Sequence, residues 1–359
     1  MKKLTILILA ASVLPTGASA EALWMRDVKI SPDGTRIAFE YKGDIFTVPA
    51  TGGMATRLTT NPAYDSNPIW SPDGKSIAFA SARHGNFDVY VMPSVGGTAT
   101  RLTRNQAAEI PEAFSPDGRT VYFSAAIQNP AQSAMFPSSR MSEFYAVGVE
   151  GGKPRQVLGT PAQMPTFSAD GNVMLYQDVK GFEDEWRKHH TSSVTRDIWM
   201  VDFTTGKHTN LTDRPGEDRN PVLDPATGAV YFLSERDGDT FNVWTFPLGA
   251  PDKAERITDF KTHPVRFLSR SADGKMAFTY DGSIYTLADG GKPVKLTVEA
   301  VTDDADQKEV RNVKAAGGVV SPDGKMVAFT DRGDVFVTSV EYPTTVPVSY
   351  THLRAHETL

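Results

Sequence analysis

The sequence predicts an all-β fold: a β-propeller of four-stranded antiparallel blades, six of them complete, followed by the start of a further blade. Three observations carry this. A Ser-Pro-Asp-Gly turn recurs along the chain, the stretches between copies alternate apolar and polar residues with period two, and units close on Arg-Leu-Thr or a variant of it.

The turn stands at Ser31-Pro32-Asp33-Gly34, Ser71-Pro72-Asp73-Gly74, Ser115-Pro116-Asp117-Gly118, Ser168-Ala169-Asp170-Gly171, Ser271-Ala272-Asp273-Gly274 and Ser321-Pro322-Asp323-Gly324. A degenerate copy, Asp224-Pro225-Ala226-Thr227-Gly228, fills the one large gap, and start-to-start distances run from 40 to 56 residues. That length holds four strands and their turns. Proline presets φ for the second turn position, and glycine supplies the positive φ at the fourth.

In the second unit Asn67-Pro68-Ile69-Trp70 leads into the turn. Two alternating strands follow, Ser76 to Ala80 and Asp88 to Met92. Gly96-Gly97 then turns the chain, and Arg101-Leu102-Thr103 closes the unit. One such sheet cannot bury both of its faces, so the blades must stack radially. Aromatics recur at two equivalent positions: Phe39, Phe79, Phe123, Tyr176, Phe232, Phe278 and Phe329 at one, Phe46, Tyr90, Tyr145, Trp199, Trp244, Tyr285 and Phe336 at the other. They read as inter-blade core.

Residues 1–20 read as a signal peptide. Lys2 and Lys3 precede an apolar run from Leu4 to Leu14, and Ala18-Ser19-Ala20 is an A-x-A site with cleavage after Ala20. The run is too short to span a bilayer, so a periplasmic or secreted protein is expected, with no membrane span after cleavage. Residues 21–298 make the six-bladed propeller and 299–314 an acidic linker with Asp303, Asp304 and Asp306. Residues 315–346 make the first, incomplete blade of a second propeller, short of its fourth strand. Residues 347–359 read as a non-native tail, in which Val348 to Thr358 resemble translated adaptor read-through. A single seven-bladed ring is the alternative.

The chain carries a net charge of −6, and loss of the two signal-peptide lysines makes it −8. No basic footprint for nucleic acid is present. There is no cysteine, which excludes disulfides and thiolate chemistry. No G-x-S-x-G elbow, H-E-x-x-H helix or G-x-x-x-x-G-K-[ST] loop occurs. Asp303-Asp304-Ala305-Asp306 lacks the glycine and distal glutamate of an EF-hand loop. Neither a catalytic residue, a metal nor a cofactor is assigned.

Two blades lengthen the connection between their second and third strands, at Ala126 to Arg140 and Val179 to Arg196. In an antiparallel blade that connection shares a face with the link to the next blade, and elaborated loops on one face of a rigid scaffold carry binding. The face gathers Arg187, His189, His190, Arg196, Arg219, His263 and Arg266, with Arg83, His84, Arg140 and Lys188 beside them. These form a candidate rim for carboxylates or carbonyls of a peptide. The competing reading pairs them with Glu183, Asp184, Glu185, Glu217 and Asp218 as solvated ion pairs. Either way, replacing Arg219 and Arg266 together is expected to leave the fold intact.

Trp186-Arg187-Lys188-His189-His190-Thr191-Ser192-Ser193-Val194-Thr195-Arg196-Asp197-Ile198-Trp199 resembles the fourth blade of bacterial tricorn-like serine peptidases. Gly216-Glu217-Asp218-Arg219-Asn220-Pro221 and Thr262-His263-Pro264-Val265-Arg266-Phe267-Leu268 belong to the same pattern. The blades themselves resemble TolB-type propellers. The tricorn-like resemblance implies a second, seven-bladed propeller, a PDZ domain and a peptidase domain, all missing here and all expected partners, along with peptides or unfolded polypeptide. None of the matching positions lies in the catalytic domain, so this chain is expected to be inactive alone. Two alternatives stand: a stand-alone TolB-like periplasmic protein-interaction propeller, and the propeller of a prolyl-oligopeptidase-type enzyme.

Overall fold

The computed structural model describes residues 20–127, 142–181, 191–238, 240–302, 315–331, 334–342 and 345–348. The repeated turn builds itself from its own side chains. The serine hydroxyl donates to the aspartate at 2.5–2.7 Å in Ser31–Asp33, Ser71–Asp73, Ser115–Asp117, Ser168–Asp170 and Ser321–Asp323. The same hydroxyl accepts the N–H of the residue that opens the second strand, as with Arg36, Ser76 and Thr120. Glycine then closes the turn at positive φ, 70° at Gly34 and 68° at Gly74.

The closing motif has an equally local cause. In Arg57-Leu58-Thr59 the threonine hydroxyl accepts the N–H of Ile45 and donates to Asp44, while the arginine reaches both Thr59 O and Asp44. Arg101 and Thr103 repeat the device on Asp88 and Val89, and Arg256 and Thr258 repeat the backbone contacts of blade 5. The motif therefore pins the outer strand to the start of the third.

Six four-stranded antiparallel sheets result, with inner strands Arg26–Ile30, Asp65–Trp70, Glu109–Phe114, Gln163–Phe167, Asp218–Leu223 and Arg266–Arg270. Each inner strand carries a one-residue bulge. The bulge holds a left-handed residue at Asp27, Asn67, Met164, Asn220 and Phe267. Blade 3 has Pro111 at this position, and a proline cannot take positive φ; its bulge is made without one.

The two aromatic series are directly opposed across the second and third strands, as in Phe39↔Phe46, Phe79↔Tyr90 and Phe123↔Tyr145. As expected they are core, with Phe39, Phe79, Phe123, Phe232 and Phe278 fully buried. Each blade turns this aromatic pair toward the preceding blade. Six apolar clusters follow, one per seam, including the seam where Phe39 and Phe46 of blade 1 meet Ala277 and Ile284 of blade 6. Ile30 N–H to Ser269 Oγ (3.0 Å) and Ala272 N–H to Pro32 O (2.9 Å) cross the same seam. The ring thus closes on six blades, and the seven-bladed alternative is set aside.

Every blade is one contiguous stretch of chain. A small sheet clasps the junction instead: Val298–Ala300 pairs antiparallel with Ala20–Glu21 and parallel with Gly53–Met54.

The described structure divides into two compact units after Val301. The second contains one more blade, Ala316–Val320, Met326–Asp331, Asp334–Ser339 and Thr345–Pro347. Where a missing fourth strand is expected, Thr345–Pro347 pairs with the third strand, with Val346 opposite Val337, even without an Arg-Leu-Thr. Val319, Val320, Val335 and Val346 of this blade are exposed, whereas Ile45, the counterpart of Val335 in blade 1, is fully buried.

Candidate functional site

Each inner strand begins beside the second-to-third-strand connection of the blade before it. Asp65 N–H binds Gly43 O (2.8 Å), Glu109 N–H binds Phe87 O (2.8 Å) and Asp218 N–H binds Arg196 O (2.9 Å). In these blades the described ends of the second-to-third-strand connections therefore share one face with the blade-to-blade links; residues 128–141 and 182–190 of the two insertions lie outside the described residues.

At the seam of blades 4 and 5, Arg196 and Arg219 converge on Glu217, with Arg196 Nη1 at 3.1 Å and Arg219 Nη2 at 2.5 Å from Oε1. Glu217 is 1% exposed and Arg219 8%, and the Arg219 guanidinium lies 5.3 Å from the Phe241 ring centre. The expectation of an exchangeable solvated rim is corrected here: these two arginines are buried and share one carboxylate. Asp218, also expected among their partners, instead pairs with Arg214 (3.0 Å) and Arg236 (3.3 Å). Blade 2 repeats that arrangement with Asp65 and Arg83 at 2.9 Å, and His84 Nδ1 shares a hydrogen bond with the Tyr90 hydroxyl. Arg187, His189 and His190, with Arg140 and Lys188, lie outside the described residues.

The second-to-third-strand hairpin of blade 6 is more exposed, at Asp281 above all. His263 meets the Tyr280 ring edge-on, its Nε2 3.5 Å from Asp281 Oδ1. Asp281-Gly282 is a tight hairpin turn with φ of 48° and 73°. Arg266 pairs in register with Thr279 of the strand entering that turn, and Arg26 stands at the same register position of blade 1. Both arginines are half-buried. Of the sequence-derived candidates, then, the structure brings Arg196 and Arg219 together on Glu217, and sets Arg266 and His263 against successive residues of one blade-6 strand, Thr279 and Tyr280.

Arg26 was not singled out by sequence, nor was the acidic group beside it. Glu40, opposite Arg26 in register, accepts a hydrogen bond from the Tyr64 hydroxyl. Burial, then the neighbouring Asp27, pushes the Glu40 carboxyl up to about 8. Lys29 on the same inner strand is pulled down by burial, opposed by Asp27 and Glu112.

The sign of the Glu40 shift sets a pH dependence. Between its ordinary 4.5 and about 8 the unfolded chain is ionised there while the folded chain keeps the proton. That contribution is therefore full below about pH 4.5 and falls as pH rises through that window, by up to about 1.4 kcal/mol per unit. Asp44, raised by burial to about 6, adds to the same trend. Urea midpoints between pH 5 and 8.5 should show the decline, and Glu40→Gln should flatten most of it. An unchanged slope in the variant would assign the effect elsewhere.

Among the described residues no group of three His, Asp or Glu is placed to hold a metal ion, and no helix is long and apolar enough to cross a membrane. The arrangement can present the half-buried guanidiniums of Arg26 and Arg266.

Residues 22–293 match the family model described as the tricorn protease N-terminal β-propeller domain. Among solved structures, the chain superposes on the crystal structure of the tricorn protease with a TM-score of 0.65 and 22% identity, covering 91% of this chain and 31% of that one. Among curated proteins, a TolB homologue from Chlorobium luteolum is 33% identical over 76 residues, 21% of this chain and 17% of its own length. One from Chlorobium chlorochromatii is 31% identical over 71 residues, 20% of this chain and 16% of its own. The chain therefore spans under a third of the tricorn protease and under a fifth of the TolB homologues it matches. With six closed blades and a family model covering them nearly end to end, the chain belongs to the tricorn protease N-terminal β-propeller family.

Proposed function

We propose that this ring is the non-catalytic propeller region of an exported tricorn-like serine peptidase, and that it docks or guides peptide substrates for PDZ and peptidase domains beyond this sequence. The supporting observation is the placement of Arg266 and Arg26, half-buried at one register position on the inner strands of blades 6 and 1. Guanidiniums so held bind carboxylates and carbonyls strongly. The A-x-A site at Ala18-Ser19-Ala20 supports export to the periplasm or beyond.

The test is anisotropy of fluorescently labelled peptides with free or amidated carboxyl ends. Wild-type protein should bind, and Arg266→Ala with Arg26→Ala should weaken binding roughly tenfold. Absence of any anisotropy change with wild-type protein would remove the docking role. The TolB matches favour a second reading, a stand-alone protein-interaction propeller. The genomic locus past codon 346 separates the two, through further repeats and peptidase sequence or through a stop.

A further inference from the structure

The seam of blades 6 and 1 contains one residue that the docking reading above does not use. Trp24 lies just before the inner strand of blade 1 and is 55% exposed. Its backbone is left-handed, at φ 65°, a conformation that bulky side chains seldom adopt. Its N–H binds Gly282 O at 2.7 Å, and its indole lies flat against Gly282, so that a Cβ there would come within 3.1 Å of the ring.

The segment is fixed from both sides. Ala22 N–H binds Val298 O in the clasp at 2.7 Å, and Met25 is buried in the seam cluster. The strained geometry is therefore held in place by its surroundings.

Blade 2 shows what this position does when it serves packing alone. Tyr64, at the same distance before its own turn, lies over Gly43 of the preceding hairpin, whose Cβ would stand 2.6 Å from the ring. Its hydroxyl reaches down to Glu40, and its ring meets Phe87 edge-on at 5.9 Å. At the other seam the counterpart of Glu40 is Thr279, which turns its hydroxyl to Arg266 O. Trp24 thus repeats the seat of Tyr64 without a carboxylate beneath it, and it keeps half its surface in solvent next to the turn that carries Asp281.

We infer that Trp24 is an aromatic platform that selects the docked peptide by stacking its exposed indole face on a proline or aromatic side chain. Proline and aromatic rings offer flat, weakly hydrated faces that match an indole at little entropic cost. An acidic protein without a basic footprint disfavours nucleobases as the stacked group. This inference rests on the peptide-docking reading.

Calorimetric titration of the full chain with a peptide series carrying Pro, Phe or Ala at one position tests it. Wild-type protein should prefer Pro or Phe over Ala roughly three- to tenfold. Trp24→Ala should erase the preference while still binding the alanine peptide, and Trp24→Phe should restore part of it. Binding should also change the protein's tryptophan emission in wild type and not in Trp24→Phe. If wild-type protein binds peptides and Trp24→Ala keeps the same preference, the platform is wrong and docking stands. If no peptide binds wild-type protein, docking itself fails and the platform goes with it.

Discussion

Glu217→Ala is expected to lower the free energy of unfolding by about 3–5 kcal/mol. The carboxylate is 1% exposed and serves two guanidiniums, Arg196 at 3.1 Å and Arg219 at 2.5 Å. Its removal takes away a buried carboxylate that two buried guanidiniums share, so two charge-assisted contacts are lost at once in a site closed to water. Arg219→Met alone should cost less, since Arg196 still neutralises Glu217. Urea unfolding of the three proteins measures the ranking. A loss under about 1 kcal/mol for Glu217→Ala, the size ordinary for exposed pairs, would show that other partners carry these arginines.

Phe123→Ala is expected to cost about 3–5 kcal/mol by the cavity it opens. Phe123 is fully buried, faces Tyr145 across the strand pair with ring centres 5.6 Å apart, and belongs to the cluster joining blades 2 and 3. The lost volume lies between two blades, so the seam can relax only if one sheet moves against the other. A melting temperature lower by roughly 10 °C is the expected reading for a domain of this size. A shift of only a degree or two would mean that the seam collapses freely.

The fold was legible because its instructions are local. A serine that binds its own turn, a glycine at positive φ and a threonine that pins the next strand all act within a few residues, so they leave a fixed spelling. The aromatic pairs were legible for the same reason, since period two places them opposite each other. The charged face was not. Arg196 and Arg219 resemble Arg266 in sequence, yet the first two are buried on a carboxylate that is twenty-one residues from one and two from the other. Only the meeting of a connection with a link across a seam decides which arginine is enclosed. Trp24 was missed because it stands among the lead-in residues after the expected cleavage site. Tyr64, at the same spacing before its own turn, was the available signal.

The clasp gives this chain an unusual relation to its own ends. No blade borrows a strand from the far terminus, and Glu21 sits opposite Glu299 across the antiparallel pair that seals the ring. Beginning and end of the propeller are thus neighbours in a ring whose blades repeat one four-stranded plan. The order in which the blades are written in the gene is consequently a matter of history more than of architecture: joined at the clasp, the same polypeptide could be opened at any link and still specify the same circle.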